Sequence, residues 1–179
     1  VLYCVVGIRL EPKLDKHGKV QRFASGERNG EIKTGKVRYF RAANQADLEA
    51  LQTAKQELEE RRLEFEMKGL MPNGLIPSGS KTSEPLRYGM NCWEDLFTPR
   101  QLLGHLSVIE ALQEAKPEIL LEFGEDKGRA LITYLQFAID KIVDYNSRQT
   151  RWISQRGTIS GTFSRHDFSL KWTFGEMVY

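Results

Sequence analysis

What this 179-residue chain lacks closes off several classes of protein. No apolar run approaches the roughly 18 residues that would suggest a membrane span, so none is expected. No charged-then-apolar leader opens the chain, and cytoplasmic residence is the expectation. There are only two cysteines, Cys4 and Cys92, without a CxxC partner or any zinc spacing, so each is expected to be a buried thiol. Acids at metal-ligand spacing are equally scarce. Asp140 and Asp144 lie one helical turn apart, but no His, Glu or third acid joins them, and a solvated polar face is expected. The stretch GLIPSGS (residues 74–80) contains glycine and serine, yet no GK[ST] follows, which excludes a phosphate-binding loop.

The net charge is only +2, but it is distributed unevenly. Residues 1–45 carry a balance of +6, residues 46–147 a balance of −7, and residues 148–179 a balance of +3. Two basic ends around an acidic middle can contact phosphates in two places, although solvated lysine-rich loops give the same balance.

The strongest local signal is WEDLFTPRQLLGHLSVIEAL (residues 93–112). Thr98 suits an N-cap, Gln101 completes a capping box, and Pro99 fits the first helical position. Phe97 is placed to pack on Leu102 as a hydrophobic staple. Leu102, Leu106, Ile109 and Leu112 then repeat at helical spacing. A helix start offers free N–H groups and a positive dipole end to an anion, so the same residues fit either a plain capped helix or an anion site.

Upstream, residues 1–10 and 31–41 are rich in β-branched and aromatic residues and are expected to form two strands joined by a polar, glycine-bearing connection. Asn44 can cap a helix over residues 46–68, with Asp47 in its first turn. Its thin stripe of Leu48, Leu51, Leu58 and Phe65 predicts packing on one side only. Residues 69–85 hold three prolines and three glycines and are expected to be a linker. Downstream, Lys116-Pro117 predicts the end of the helix that starts at Pro99, with a short turn over residues 117–123. Residues 126–145 predict a second helix, apolar over more than half its circumference and therefore central. The expected fold class is α+β, divided into a ribbon-plus-helix appendage (1–68), a linker (69–85) and a helical core ending in extended segments (86–179).

From Asn146 onward, arginine is interleaved with aromatic residues. Arg148, Arg151, Trp152, Arg156 and Arg165 suit phosphate contact and base stacking. Arginine stems covering partly buried aromatic rings would leave the same pattern. Arg165-His166-Asp167 is not a triad, because neighbours in an extended stretch point to opposite faces.

Several stretches taken in order resemble one family. They are Arg87-Tyr88-Gly89-Met90, Trp93-x-Asp95-Leu96-Phe97-Thr98-Pro99-Arg100-Gln101-Leu102-Leu103, Asp144-Tyr145-Asn146-Ser147 with Arg151-Trp152, Thr162-Phe163-x-Arg165, and Trp172-x-Phe174-x-Glu176. Together they look like the prokaryotic adenine-specific DNA methylases that contain a Zn-ribbon and a long insert between their methyltransferase motifs. The resemblance implies S-adenosylmethionine as cofactor and DNA as partner, with Phe97, Thr98, Pro99 and Arg100 beside the donor's carboxylate. It also implies what is missing. The chain has no Gly-rich donor motif of the DPFxGxG type, no [DN]PP[YFW] tetrad to hold a flipped adenine, and no CxxC pairs. The expectation is a segment that is inactive alone and works with the remaining domains of a parent methyltransferase. The alternative is a non-enzymatic nucleic-acid-binding or assembly module.

Overall fold

The computed structural model describes residues 2–164, 168 and 171–177. Its elements make an α+β chain of two compact units, Val1–Ala50 and Leu51–Tyr179. The boundary falls inside a helix rather than in the expected linker.

In the first unit, β1 (Cys4–Pro12) pairs antiparallel with β2 (Thr34–Ala42), Cys4 opposite Ala42 and Pro12 opposite Thr34. Alternation sends Val6, Ile8 and Phe40 to one face and Gly7 and Tyr39 to the other. Gly7 is required there, because a Cβ would come within 2.3 Å of the Tyr39 ring. The polar connection is ordered by bridges at Leu14–Val20 and Arg22–Ile32. Asp15 tightens its first bend by accepting from the His17 and Lys19 N–H groups. Cys4 is exposed, contrary to the expected buried thiol, because a two-stranded ribbon offers no interior at its end.

Helix α1 (Gln45–Met67) starts as its sequence dictates. Asn44 Oδ1 accepts from the Asp47 N–H, and Asp47 returns the bond to the Asn44 N–H. Its stripe narrows to Leu58 and Phe65, which are buried in the second unit with Met71, Leu102 and Leu106. Burying Phe65 is worth about 1.5–3 kcal/mol. The polar flank of α1 is not idle. Arg61 and Lys68 both donate to Glu110, and Arg62 donates to Glu94 at 3.0 Å.

Residues 69–85 do not act as a linker in the second unit. Met71, Ile76, Thr82 and Pro85 are buried there, and the short helix α2 (Ser83–Arg87) begins within it. Prolines and glycines shape the path, while Met71 joins the cluster of Leu58 and Phe65 and Ile76 joins Met90 and Leu96 in a second one.

Helix α3 (Pro99–Phe123) runs on through Pro117. A proline costs a helix one hydrogen bond, here the one that would end on the Gln113 carbonyl. Both residues are exposed, so water can take that carbonyl. Gly124, with φ of +75°, caps α3 and leads directly into α4 (Glu125–Tyr145). Gly128 lets the two helices approach closely, since a Cβ there would meet Leu120 at 3.0 Å.

Helix α4 is not central. Only Gly128, Ile139 and Asp144 are buried, while Leu131, Tyr134, Leu135 and Phe137 are exposed. An apolar circumference shows that a helix can be surrounded, and here packing reaches one side of it.

The strands that follow are short. The hairpin pairs β3 (Arg151–Ile153) with β4 (Thr158–Ser160) through a turn closed by Gly157 at φ +58°. Among the described residues, no helix is long and apolar enough to cross a membrane.

Candidate functional site

The start of α3 is built as its sequence predicts. The Thr98 hydroxyl accepts from the Gln101 N–H at 3.3 Å, and Gln101 Oε1 accepts from the Thr98 N–H at 2.9 Å. Phe97 packs against the core cluster that contains Leu102, as the staple requires. Pro99 has no N–H to offer, and the Leu102 N–H already donates to the Thr98 carbonyl. Among the described residues, this leaves the Arg100 N–H as the uncommitted donor of the first turn.

Around this start the distant stretches converge. His105, one turn after Gln101, donates from Nε2 to the Asn146 carbonyl at 2.8 Å, since a carbonyl can only accept. Its ring stands edge-on to Phe97, with centroids 5.0 Å apart. Burial pushes the imidazole pKa below its usual value, and the Asn146 bond opposes that shift only in part. The ring is therefore a neutral strut at physiological pH. Arg100 pairs with Glu176 at 2.6 Å. Burial raises the Glu176 carboxyl, against the lowering effect of the Arg100 charge.

A second knot sits at the end of α4. Asp144 is buried, accepting from the Phe163 N–H at 3.0 Å and from Lys141 at 2.7 Å. The expected solvated acidic face thus holds for the exposed Asp140 and fails for Asp144, which organises the turn over Thr162–Ser164. Gly161 is needed beside it, because a Cβ would fall 2.4 Å from the Asp144 carboxylate. The Thr162 hydroxyl donates to the Asp144 carbonyl at 2.8 Å, so Ser147 must be the donor in its 2.7 Å bond to Thr162. Asn146 Oδ1 accepts from the Met177 N–H at 2.7 Å, and Thr150 accepts from the Gly175 N–H at 3.1 Å.

The residues expected to contact a donor or DNA divide into three groups. Phe97, Pro99 and Arg148 line one shallow cleft together with Arg62, Glu94 and Leu102. Arg148 is already engaged there: its N–H donates to the Leu96 carbonyl at 2.8 Å and its guanidinium to the Asp95 carbonyl at 2.9 Å. Thr98 and Arg100 serve the cap and the Glu176 pair. Arg151 and Arg156 are exposed on the β3–β4 hairpin, while Trp152 is half-buried and, as its neighbour in a strand, faces away from Arg151. Arg165 lies outside the described residues.

Sequence reasoning passed over His105, and it named Asn146, Ser147 and Glu176 as carriers of the resemblance without giving them a role. A signal existed for one of them: Gln101 and His105 are polar residues one turn apart in an otherwise apolar stretch, and both are buried. Compared with models of known families, with curated proteins and with solved structures, the chain matches none.

Proposed function

We propose that this chain is a segment of a cytoplasmic, S-adenosylmethionine-dependent adenine-N6 DNA methyltransferase, without catalytic activity of its own. What supports this reading is a single observation. The stretches that carry the family resemblance are far apart in sequence, yet Arg100 pairs with Glu176 and Asp144 and Ser147 bond to Thr162 and Phe163, while the neighbouring His105 and Arg148 tie the start of α3 to the end of α4. A chance likeness of scattered motifs has no reason to assemble in one place.

In this reading the donor's carboxylate approaches the first turn of α3, attracted by the Arg100 N–H and the helix dipole. The Arg100 guanidinium contributes little directly, because Glu176 already holds it. Phe97 and Pro99 form the apolar side of the adjoining cleft. Arg151 and Arg156, exposed on the hairpin, meet DNA phosphates.

The test has two readouts. With labelled donor and any DNA duplex, the chain alone transfers no methyl group. By fluorescence anisotropy it binds duplex weakly, and affinity falls steeply from low to moderate salt as counterions are released. Replacing Arg151 and Arg156 by Ala weakens that binding. Methyl transfer above a no-protein control overturns the segment reading. Binding that ignores both salt and the double substitution removes DNA from it.

The second reading, a non-enzymatic nucleic-acid-binding module, is favoured by the same two exposed arginines. It parts from the first at donor binding. Calorimetric titration of the parent enzyme with S-adenosylmethionine shows a loss of affinity on Thr98→Ala only if the α3 start serves the donor.

A further inference from the structure

The two faces of the N-terminal ribbon are finished differently. Strand pairing puts Gly7 opposite Tyr39 and Arg9 opposite Val37 on one face, where the charged groups already have partners. Arg9 lies over the Tyr39 ring, 5.8 Å from its centroid, and pairs with Glu11, while Arg41 pairs with Asp47. The other face sets Val6 opposite Phe40, Ile8 opposite Arg38 and Leu10 opposite Lys36. Its apolar members stay largely in water: Val6 is 42% exposed, Phe40 59%, Ile8 61% and Leu10 66%. A sheet covered on one side ordinarily turns its apolar face inward and its polar face to water, and this ribbon does the reverse. Direct cross-strand pairs share a face, so these side chains project together as one patch.

The shape of the patch and the needs of the ribbon point to a helix. A two-stranded ribbon is marginal in water and becomes independently stable with a further strand or with a helix packed on it. A further strand would join at an edge and leave the apolar face as open as before. Two strands about 4.8 Å apart present a face roughly 10 Å wide, which is the diameter of one helix with its side chains.

Charge narrows the occupant further. Lys36 and Arg38 are exposed on β2 beside Leu10 and Ile8, and among the described residues neither pairs with a carboxylate. No acid lies on this face of either strand. A second copy is therefore a poor occupant, because two such faces bring cations together and no carboxylate to meet them. Base stacking asks for several aromatic rings, and Phe40 is the one this face offers. Trp and Tyr, the anchors of a membrane interface, are missing from it.

We propose that the Val6, Ile8, Leu10 and Phe40 face of the ribbon docks an amphipathic helix of a partner protein. The helix lays an apolar stripe along β1 and turns carboxylates on one flank toward Lys36 and Arg38. The inference is independent of what the start of α3 binds.

Two synthetic helices with the same leucine stripe test it, one flanked by Glu and the other by Lys. Binding of each to the full chain is read by fluorescence anisotropy at low salt. The Glu-flanked helix is expected to bind at least about tenfold more tightly, because opposite rim charges attract and like ones repel. Ile8→Thr with Leu10→Thr removes apolar surface and keeps strand-forming side chains, so binding is expected to vanish with circular dichroism unchanged. Lys36→Glu with Arg38→Glu is expected to reverse the preference, and this variant decides the matter should the threonine pair disturb the ribbon. Equal affinities, no binding of the Glu-flanked helix, or an unreversed preference each overturn the proposal. So does self-association of the chain, or binding to phosphatidylserine vesicles or to a DNA duplex, that the threonine pair abolishes. Those results would make a second copy, a membrane or nucleic acid the occupant.

Discussion

Helices α3 and α4 follow each other across a single glycine and are both rich in apolar residues, yet the fold treats them differently. α3 buries Gln101, Leu102, His105, Leu106 and Leu112, and it is tied to α1 by Arg61 and Lys68 meeting Glu110. α4 buries a glycine, one isoleucine and one aspartate. Apolar content therefore does not rank helices by burial. The surroundings do: α3 has α1 and the 69–85 segment on one side and α4 on another, whereas α4 has α3 along its length and the 161–163 turn at its end.

The largest expected effect sharpens this contrast. Leu106 is 1% exposed and shares its cluster with Phe65 and Leu58. Leu106→Ala is expected to cost about 2–5 kcal/mol, the lost transfer free energy plus the cavity left behind. Urea denaturation should show a lower midpoint at an unchanged slope. A loss under about 1 kcal/mol would mean that this cluster is not the core.

Next in size is the cap. Thr98→Ala removes the acceptor for the Gln101 N–H and is expected to cost about 1 kcal/mol. The same denaturation series measures it. No change would mean that Gln101 alone fixes the α3 start.

What could be read in the sequence follows the same division. Local rules were legible wherever a residue's partner lies within a turn: the Thr98–Gln101 box and the Asn44 cap form as written, as does the pairing of the two N-terminal strands. Pro117 misled because the Gln113 carbonyl that it frees is exposed and open to water, and solvent access is not written locally. The 69–85 segment misled because its glycines and prolines describe the path of the backbone, while Met71 and Ile76 find their neighbours from distant elements. His105–Asn146 and Arg100–Glu176 are 41 and 76 residues apart, so nothing short-range announces them. The site was legible as a helix start, and its supporting contacts were not.

The pH dependence probes those supports. The His105 pKa is lowered by burial, so the unfolded chain binds its proton more readily than the folded one. The stability it contributes is present above the usual histidine value of 6.5 and is lost as pH falls through the lowered one. Glu176 has the opposite sign: its pKa is raised, so its contribution is complete below the usual carboxylate value and is lost as pH rises through the raised one. Thermal midpoints of Glu176→Gln, followed downward from neutral pH, should isolate the histidine effect as a steady fall. A flat profile in that variant would show that His105 is not buried in solution.

The smallest expected effect is the one most able to break the comparison. Phe137 is an aromatic residue on an apolar helix, and replacing such a residue by serine ordinarily costs several kcal/mol when it lies in a core. Here 60% of its surface is already in water, and Tyr134, its edge-on neighbour, is 73% exposed. Little burial is left to lose. Phe137→Ser is expected to change stability by no more than about 0.5 kcal/mol, as for surface positions generally. The change in side chain also tests direction. Serine is a weaker helix former than the best residues but close to phenylalanine, so propensity adds almost nothing to either side. Urea denaturation beside the Leu106→Ala variant gives both numbers on one scale. A Phe137→Ser cost near that of Leu106→Ala would show α4 packed on both sides in the isolated chain. A near-zero cost leaves its outer face as surface that the fold does not use.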